Sequence, residues 1–371
     1  MTSTTSSPLR HAVIGVGAGI YHLHQAGLTL DDVQVVGVSD VVPNPGQERA
    51  DELDAPFYLD HRKMLAETKP DVTVIITPHP FHAALAIDAL NAGSHVLVEK
   101  PIAVQVAEAD AMIAAAEANN RLLAVNFQHR FRPDVQAIKQ LISSGGLGKI
   151  QRVTGVQPWL RTAAYFRQAG WRGTWKGEGG GVLMNQAPHD LDLLCYLVGL
   201  PSRLFALANT RFHAIETEDT VTALLEWPDG GQGSLYFSTT EYGPRTLEIS
   251  GTSGVVKLSE GAPVLERFTP DLLTHMAENP GPFARPQSEI GELPLEDAGD
   301  QGHLAVYKDL HRAIREGGTP LASGRASRDS LELANAIIYS GQTGQPVDLP
   351  LDREAYGAML ARLIGKAANF K

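Results

Sequence analysis

"HVLVEKPIAV", residues 95–104, is the stretch on which the reading of this chain turns. Val96 to Val98 form a short apolar run of the kind buried inside a sheet, and an acid, a base and a proline follow at once. Glu and Lys are almost never buried without a partner, so placing both at the end of a buried strand asks for a reason. Pro101 biases Lys100 toward extended backbone, which narrows where its ammonium points.

The same rhythm runs through the first third of the chain. Apolar runs occur at Ala12 to Val16, Val33 to Val38, Val72 to Ile76, Val96 to Val98 and Leu122 to Val125. Helical patterns lie between them, including "FHAALAIDALNAG" closed by Gly93 and "VQVAEADAMIAAAEANN" closed by Asn119 or Asn120. Continuous apolar strands alternating with helices predict a parallel sheet covered on both faces. With right-handed crossovers this is a doubly wound α/β fold, which binds ligands beyond the carboxyl ends of its strands. In the order 3-2-1-4-5 the Val96–Val98 strand would lie beside the first strand.

Each strand end then becomes informative. After the first comes "GVGAGIYHLH", in which Gly15 and Gly17 allow a pyrophosphate to approach the backbone and a helix opens behind them. The third glycine of the usual G-x-G-x-x-G is replaced by Ile20. After the second comes Asp40, 23 residues past Gly17, near the spacing of an acid that accepts from an adenosine ribose. Val41 and Val42 follow with no basic residue for a 2′-phosphate, so NAD is expected, with NADP the alternative. "TPHPFH", residues 77–82, reads as a stiff loop over a cofactor; its two histidines have no third ligand at metal spacing, so no metal is expected.

The second half alternates with period two. Ile150 to Gln157, Leu204 to Arg211, Thr220 to Trp227, Gly233 to Thr239, Thr246 to Ser250 and Val255 to Leu258 read as strands of a mostly antiparallel sheet. One face should carry helices, and the other should be solvated or meet a partner.

Composition bounds the rest. The 371 residues suggest two domains, and 43% hydrophobic residues suffice for two cores. A net charge of −11 speaks against nucleic acid and anionic membrane as partners. No apolar run reaches the roughly 18 residues of a membrane span. The start, "MTSTTSSPLR", has no apolar core of a leader, so a disordered tail over 1–9 and a cytoplasmic location are expected. A single cysteine, Cys195, leaves no disulfide framework.

"VEKPIAV" followed far downstream by "GEGGGVLMNQAPHDLDLLCYLVGLP" resembles the Gfo/Idh/MocA family of oxidoreductases. "VNFQHRFRPDVQAIKQLI", "LEISGTSGVVKL" and "SLELANAIIYSGQTGQPVDLPL" stand in the family's order, so the resemblance covers nearly the whole chain. It implies a Rossmann domain over 10–128 and an α+β domain with a large open sheet over 129–371, which in the family commonly builds a homodimer or homotetramer. It also implies hydride transfer between NAD(P) and a sugar or polyol. Carried over by resemblance, the cofactor contacts are Gly15, Gly17, Gly19, Ile20, Asp40, Thr77, Pro78, His79, His82, Glu99, Lys100, Gln128, Trp171 and Arg172, with His303 against the nicotinamide.

The catalytic group is expected in "GGGVLMNQAPHDLDLL". Asn185 reads as an N-cap, Pro188 suits the first turn, His189 lies one turn along the same face, and Gly199 closes the helix. His189 would take the proton of a secondary alcohol, Lys100 would stabilise charge on the same oxygen, and Asn185 would orient the hydroxyl. Many family members carry Asp where this chain has Asn185, and the family's histidine after the glycine loop falls one place late, at His24. The preceding "WLRTAAYFRQAGWRGTWKGEGGG" is expected to wall a sugar pocket, with Trp159, Arg161, Trp171 and Arg172 joining Lys100, Asn185 and His189 at the substrate. The same fold also hosts NAD-dependent glycosidases and non-catalytic dinucleotide-binding regulators. Keeping both Lys100 and His189 argues against the latter.

Overall fold

A computed structural model describes residues 7–17, 19–296 and 299–368. Of the tail expected over 1–9, residues 1–6 lie outside the described residues, and Leu9 already opens the first strand. The chain divides into two compact units, one of Met1–Phe131 with Gly299–Leu331 and one of Arg132–Ala298 with Glu332–Lys371.

The first unit is built on a six-stranded parallel sheet. Its strands are β1 (Leu9–Ile14), β2 (Val33–Ser39), β3 (Phe57–Tyr58), β4 (Val72–Ile75), β5 (His95–Val98) and β6 (Leu123–Val125), in the order β3-β2-β1-β4-β5-β6. Every residue of β4 is buried, as a central parallel strand requires. The order corrects the sequence expectation. The Val96–Val98 strand pairs with β4 and not with β1, which instead takes Val72–Ile75 alongside it. The cause is β3, two residues paired to Val38 and Ser39, too short to give an apolar run. It fills the outer position, so the next long strand is the fourth, and the switch point lies between β1 and β4.

Residues from far along the sequence complete this unit's core. The helix Gly302–Glu316 buries Tyr307 and Leu310 against Val13, Val38 and Leu97, all fully inaccessible. The contact depends on Gly27 in the helix Tyr21–Leu28, where an added Cβ would stand 2.5 Å from the Tyr307 ring. Glycine inside a helix costs about 1 kcal/mol relative to alanine, and here the missing methyl is what admits the ring.

The second unit carries a nine-stranded sheet of β7 (Ile150–Pro158), β8 (Arg203–Asn209), β9 (Thr220–Glu226), β10 (Gln232–Ser238), β11 (Thr246–Gly251), β12 (Gly254–Leu258), β13 (Val264–Thr269), β14 (Gln287–Glu292) and β15 (Val347–Asp348). The order is β14-β13-β12-β11-β7-β10-β9-β8-β15, antiparallel throughout except for β7 with β10. Burial alternates along β9 and β11, and Leu207 and Leu224 stay exposed on the opposite face. The helices of this unit include Pro133–Ser143, Pro188–Val198 and Arg353–Ala368. No helix among the described residues is long and apolar enough to cross a membrane.

Gly27→Ala should destabilise the protein by about 1–3 kcal/mol, because overpacking against the Tyr307 ring outweighs the gain in helix propensity. Chemical denaturation measures this, and a variant as stable as the parent would refute the packing argument.

Candidate active site

In the first unit the strand ends form one polar rim. Gly15 holds a left-handed φ of +89°, and a Cβ there would lie 2.4 Å from Thr77 Cγ2 and 2.9 Å from Thr77 N. Only glycine lets the loop after β1 lie against the loop after β4. Asp40 ties down the same loop: its Oδ2 accepts from Gly17 N (2.9 Å) and its Oδ1 from Val42 N (2.9 Å). A carboxylate has about four acceptor positions, so two remain for a ribose diol. Gly19 has open space around it, and Ala18 between these glycines lies outside the described residues. Ile20 leads into the helix Tyr21–Leu28, and its side chain packs against the hydrophobic core.

Thr77 Oγ1 and Gln128 Oε1 are buried at the ends of β4 and β6 without a hydrogen-bond partner. Such orphaned oxygens are costly unless a ligand with donors completes them. Pro78 is extended and precedes the turn His79–Phe81. His82 is fully buried, with Nδ1 2.8 Å from Pro101 O and Nε2 2.7 Å from Thr77 O. Both ring nitrogens thus face main-chain carbonyls, and the side chain braces the two loops instead of reaching outward. Burial lowers its pKa, against the pull of the two carbonyls.

Glu99 is a hydrogen-bond hub that the sequence did not announce. Its Oε1 accepts from Asn126 Nδ2 and from His24 Nε2 (3.0 Å), with His303 Nε2 at 3.4 Å, and its Oε2 accepts from Lys100 N (3.1 Å). Burial alone would raise this carboxyl, but hydrogen bonds from the two histidines, and their charge, hold it well below the usual carboxylate range. His24 Nδ1 meets Tyr307 OH at 3.0 Å, a hydrogen bond that fixes the ring from its other side. His24, Glu99 and His303 bring ligand-type atoms within 4.8 Å of one another, the only such group among the described residues. Oε1 already receives an amide N–H, so the trio is organised as a hydrogen-bond cluster.

In the second unit the glycine run is explained by close approach. A Cβ on Gly181 would stand 1.9 Å from Glu218 O. Glu218 Oε1 accepts from Gly181 N (2.8 Å) and Leu183 N (3.1 Å) and so pins the run. Asn185 differs from expectation. It ends the short helix Val182–Asn185 and caps nothing; the helix Pro188–Val198 starts after Ala187, with Pro188 in the first turn and His189 next. The reason is the Glu218 anchor, which starts a separate helical turn at Val182.

The Asn185 amide serves another purpose. Its Nδ2 donates to Glu178 Oε1, which turns Oδ1 toward Tyr165 OH at 3.0 Å. Tyr165 OH also receives Arg172 Nη1 (2.5 Å) and Gln186 Nε2 (3.1 Å). Burial raises the Tyr165 pKa, so the phenol keeps its proton and gives it to Asn185. The acceptor-only carboxylate at one end and the donor-only guanidinium at the other therefore agree on the direction of every bond in the chain.

Of the expected substrate residues, Trp159 donates its Nε1–H to Asp190 Oδ2 (2.9 Å) and stacks beneath the Arg245 guanidinium at 4.1 Å. Arg161 donates to the Trp159 and Leu160 carbonyls. Arg172 covers the Trp171 ring at 4.6 Å. Trp175, in the same segment, is buried at the start of the helix Trp175–Glu178, which Thr174 caps. Lys100 belongs to the first unit, and Asn185 and His189 belong to the second.

A doubly wound sheet with a left-handed glycine after β1, an acid after β2 and orphaned oxygens at two further strand ends defines an NAD-binding oxidoreductase. The chain belongs to the Gfo/Idh/MocA family. Residues 9–127 match the family model described as "Oxidoreductase family, NAD-binding Rossmann fold", and residues 135–257 match "GFO/IDH/MocA C-terminal domain". The D-glucoside 3-dehydrogenase of Escherichia coli (strain K12) is 32% identical over 94% of this chain and 99% of that protein. The D-apiose dehydrogenase of Paraburkholderia graminis is 28% identical over 95% and 93%. Among solved structures, the WlbA dehydrogenase of Bordetella pertussis, in complex with NADH and UDP-GlcNAcA, superposes with a TM-score of 0.78 at 30% identity, covering 93% of this chain and all of that one.

If Glu178 sets the bond directions, Asn185→Asp puts two carboxylates face to face and should cost about 1–3 kcal/mol of stability. Adding Glu178→Gln to that variant should restore most of the loss in thermal melts; no recovery would refute the arrangement.

Burial pushes the Glu218 carboxyl up to about 7 from 4.5, despite its backbone donors. Between those values the folded chain binds more protons than the unfolded chain, so stability falls as pH rises from about 4.5 to about 7. Glu218→Gln should flatten that part of a plot of melting temperature against pH, leaving the weaker slope of Asp190, whose carboxyl burial raises to about 6.

Proposed function

We propose that this oxidoreductase oxidises a secondary ring hydroxyl of a pyranose sugar, glycoside or cyclic polyol with NAD⁺. The observation that carries the choice of a hydroxylated ring is the directed chain Glu178–Asn185–Tyr165–Arg172, a row of polar groups beside the helix that presents His189. The likeness to a D-glucoside 3-dehydrogenase over nearly the full length of both chains supports it.

NAD⁺ when bound supplies the hydride acceptor. The chain's own residues do the rest. Asp40 accepts from the adenosine ribose, and its charge repels a 2′-phosphate, which selects NAD. Lys100, as an ammonium, donates to the reacting oxygen and stabilises negative charge as it grows. The Glu99 hub behind it holds the Lys100 backbone through the bond to Lys100 N. His189 takes the hydroxyl proton. Asn185 offers its amide to orient a hydroxyl, and Glu178 prevents that amide from turning over. Trp171, Arg172, Trp159 and Arg161 shape the wall for the ring. The exposed face carrying Leu207 and Leu224 suits pairing of two copies through the second sheet, and the cytoplasm is the compartment in which this chemistry is expected.

Lys100→Ala and His189→Ala should each leave NADH binding nearly intact, read by fluorescence titration, and lower kcat by about 10²-fold or more. The assay follows NADH formation with a panel of glycosides, aldoses and inositols. Parent-like turnover in either variant would remove the assignment, and turnover of simple hydroxy acids alone would remove the carbohydrate.

A further inference from the structure

We propose that the second unit holds a subsite for an anionic oxygen group, a carboxylate or phosphate carried by the substrate ring. This rests on the reading of the same unit as sugar-binding and names the class of sugar. The subsite is a cavity of about 420 Å³ between residues 163–174 and 213–216, with Arg167, Arg172 and His213 in its lining.

Three observations converge on an anion. Arg172 has five N–H donors, yet its one side-chain hydrogen bond goes to Tyr165 OH, and its Nε is buried without a partner. Among the described residues neither Arg167 nor Arg172 has a carboxylate within ion-pair distance. Arg172 is half-buried and held over the Tyr165 and Trp171 rings, Arg167 is exposed, and both line this cavity together with His213. The single acid in the lining, Glu216, accepts from Trp175 N at 3.2 Å, which ties it to the start of the helix Trp175–Glu178.

A half-buried guanidinium without a counter-charge is costly, and a planar anion that accepts two parallel N–H bonds removes that cost. The position suits a substituent on the reacting sugar. Arg172 donates to Tyr165 OH, and Tyr165 donates to Asn185 Oδ1, so the cavity begins two hydrogen bonds from the proposed hydroxyl-orienting amide. Phe166 lies against His213 at 4.6 Å between ring centroids and gives the cavity an apolar side for the ring.

The test compares methyl β-glucopyranoside, methyl β-glucopyranosiduronate and glucose 6-phosphate as substrates of the full chain with NAD⁺. One charged compound should show a KM about tenfold below the neutral one, the size of a charge-assisted pair, and whichever it is separates carboxylate from phosphate. Arg167→Ala should raise KM for that compound about tenfold, more than for the neutral glycoside, with kcat little changed, and Arg167→Lys should restore part of the loss. A neutral glycoside with the lowest KM, or a variant that shifts all three alike, overturns the proposal. If none of the three is oxidised, the dehydrogenase reading for these sugars fails separately. Calorimetric titration of the glycosiduronate and the phosphate into the parent and Arg167→Ala then decides the subsite. Binding lost in the variant upholds it, and equal binding or none overturns it.

Discussion

A buried carboxylate is tolerable in a protein interior only where its neighbours satisfy it, and the first unit is organised around one. Glu99 stands at the end of β5. The groups that satisfy it come from the helix after the glycine loop (His24), from the end of β6 (Asn126) and from the start of the helix Gly302–Glu316 (His303). Tyr307 on that last helix then fixes His24 from behind. Four segments, distant in sequence, are locked to one pair of oxygens at the edge where the sheet binds its dinucleotide. Losing any one of them leaves a charge uncompensated, so the rim is held as a unit.

The second unit solves a related problem differently. Its Glu218 is also buried, but it faces main-chain N–H groups, those of Gly181 and Leu183. Burial raises this carboxyl to about 7 despite those donors. The Glu178 carboxylate gives a reason for the asparagine at position 185. A carboxylate there would set its own oxygens against the Glu178 oxygen that now accepts from the Asn185 amide.

Much of this was legible from residue order. Long apolar runs identified β1, β2, β4, β5 and β6, and period-two alternation identified six strands of the second sheet, because burial on one or both faces writes itself into composition. The elements that were missed bury too little to leave such a trace. Phe57–Tyr58 has two residues, and all six residues of β14 are exposed. The first of these omissions mattered beyond itself, since it displaced β5 by one position in the sheet. Site residues followed a similar rule. Lys100, Asp40 and the glycine run sit at strand ends or tight turns with local signatures. Tyr165, Glu178, Asn126 and Tyr307 act through partners 7 to 283 residues away, and no local pattern marks them. Asn185 misled because asparagine before a helix has a common local explanation, which the chain does not use.

The discontinuous first unit has a consequence for how the molecule comes into being. Its sheet is complete once β6 has been made, yet Tyr307, Leu310 and His303, which close its core and steady Glu99, are encoded almost two hundred residues later. On the ribosome the nucleotide-binding half therefore waits, with part of its apolar surface and a buried acid uncovered, while eight of the nine strands of the second sheet are synthesised. Its core closes late, after most of the second unit has been made, although its strands are the first to emerge, and only the segment from Glu332 onward follows it.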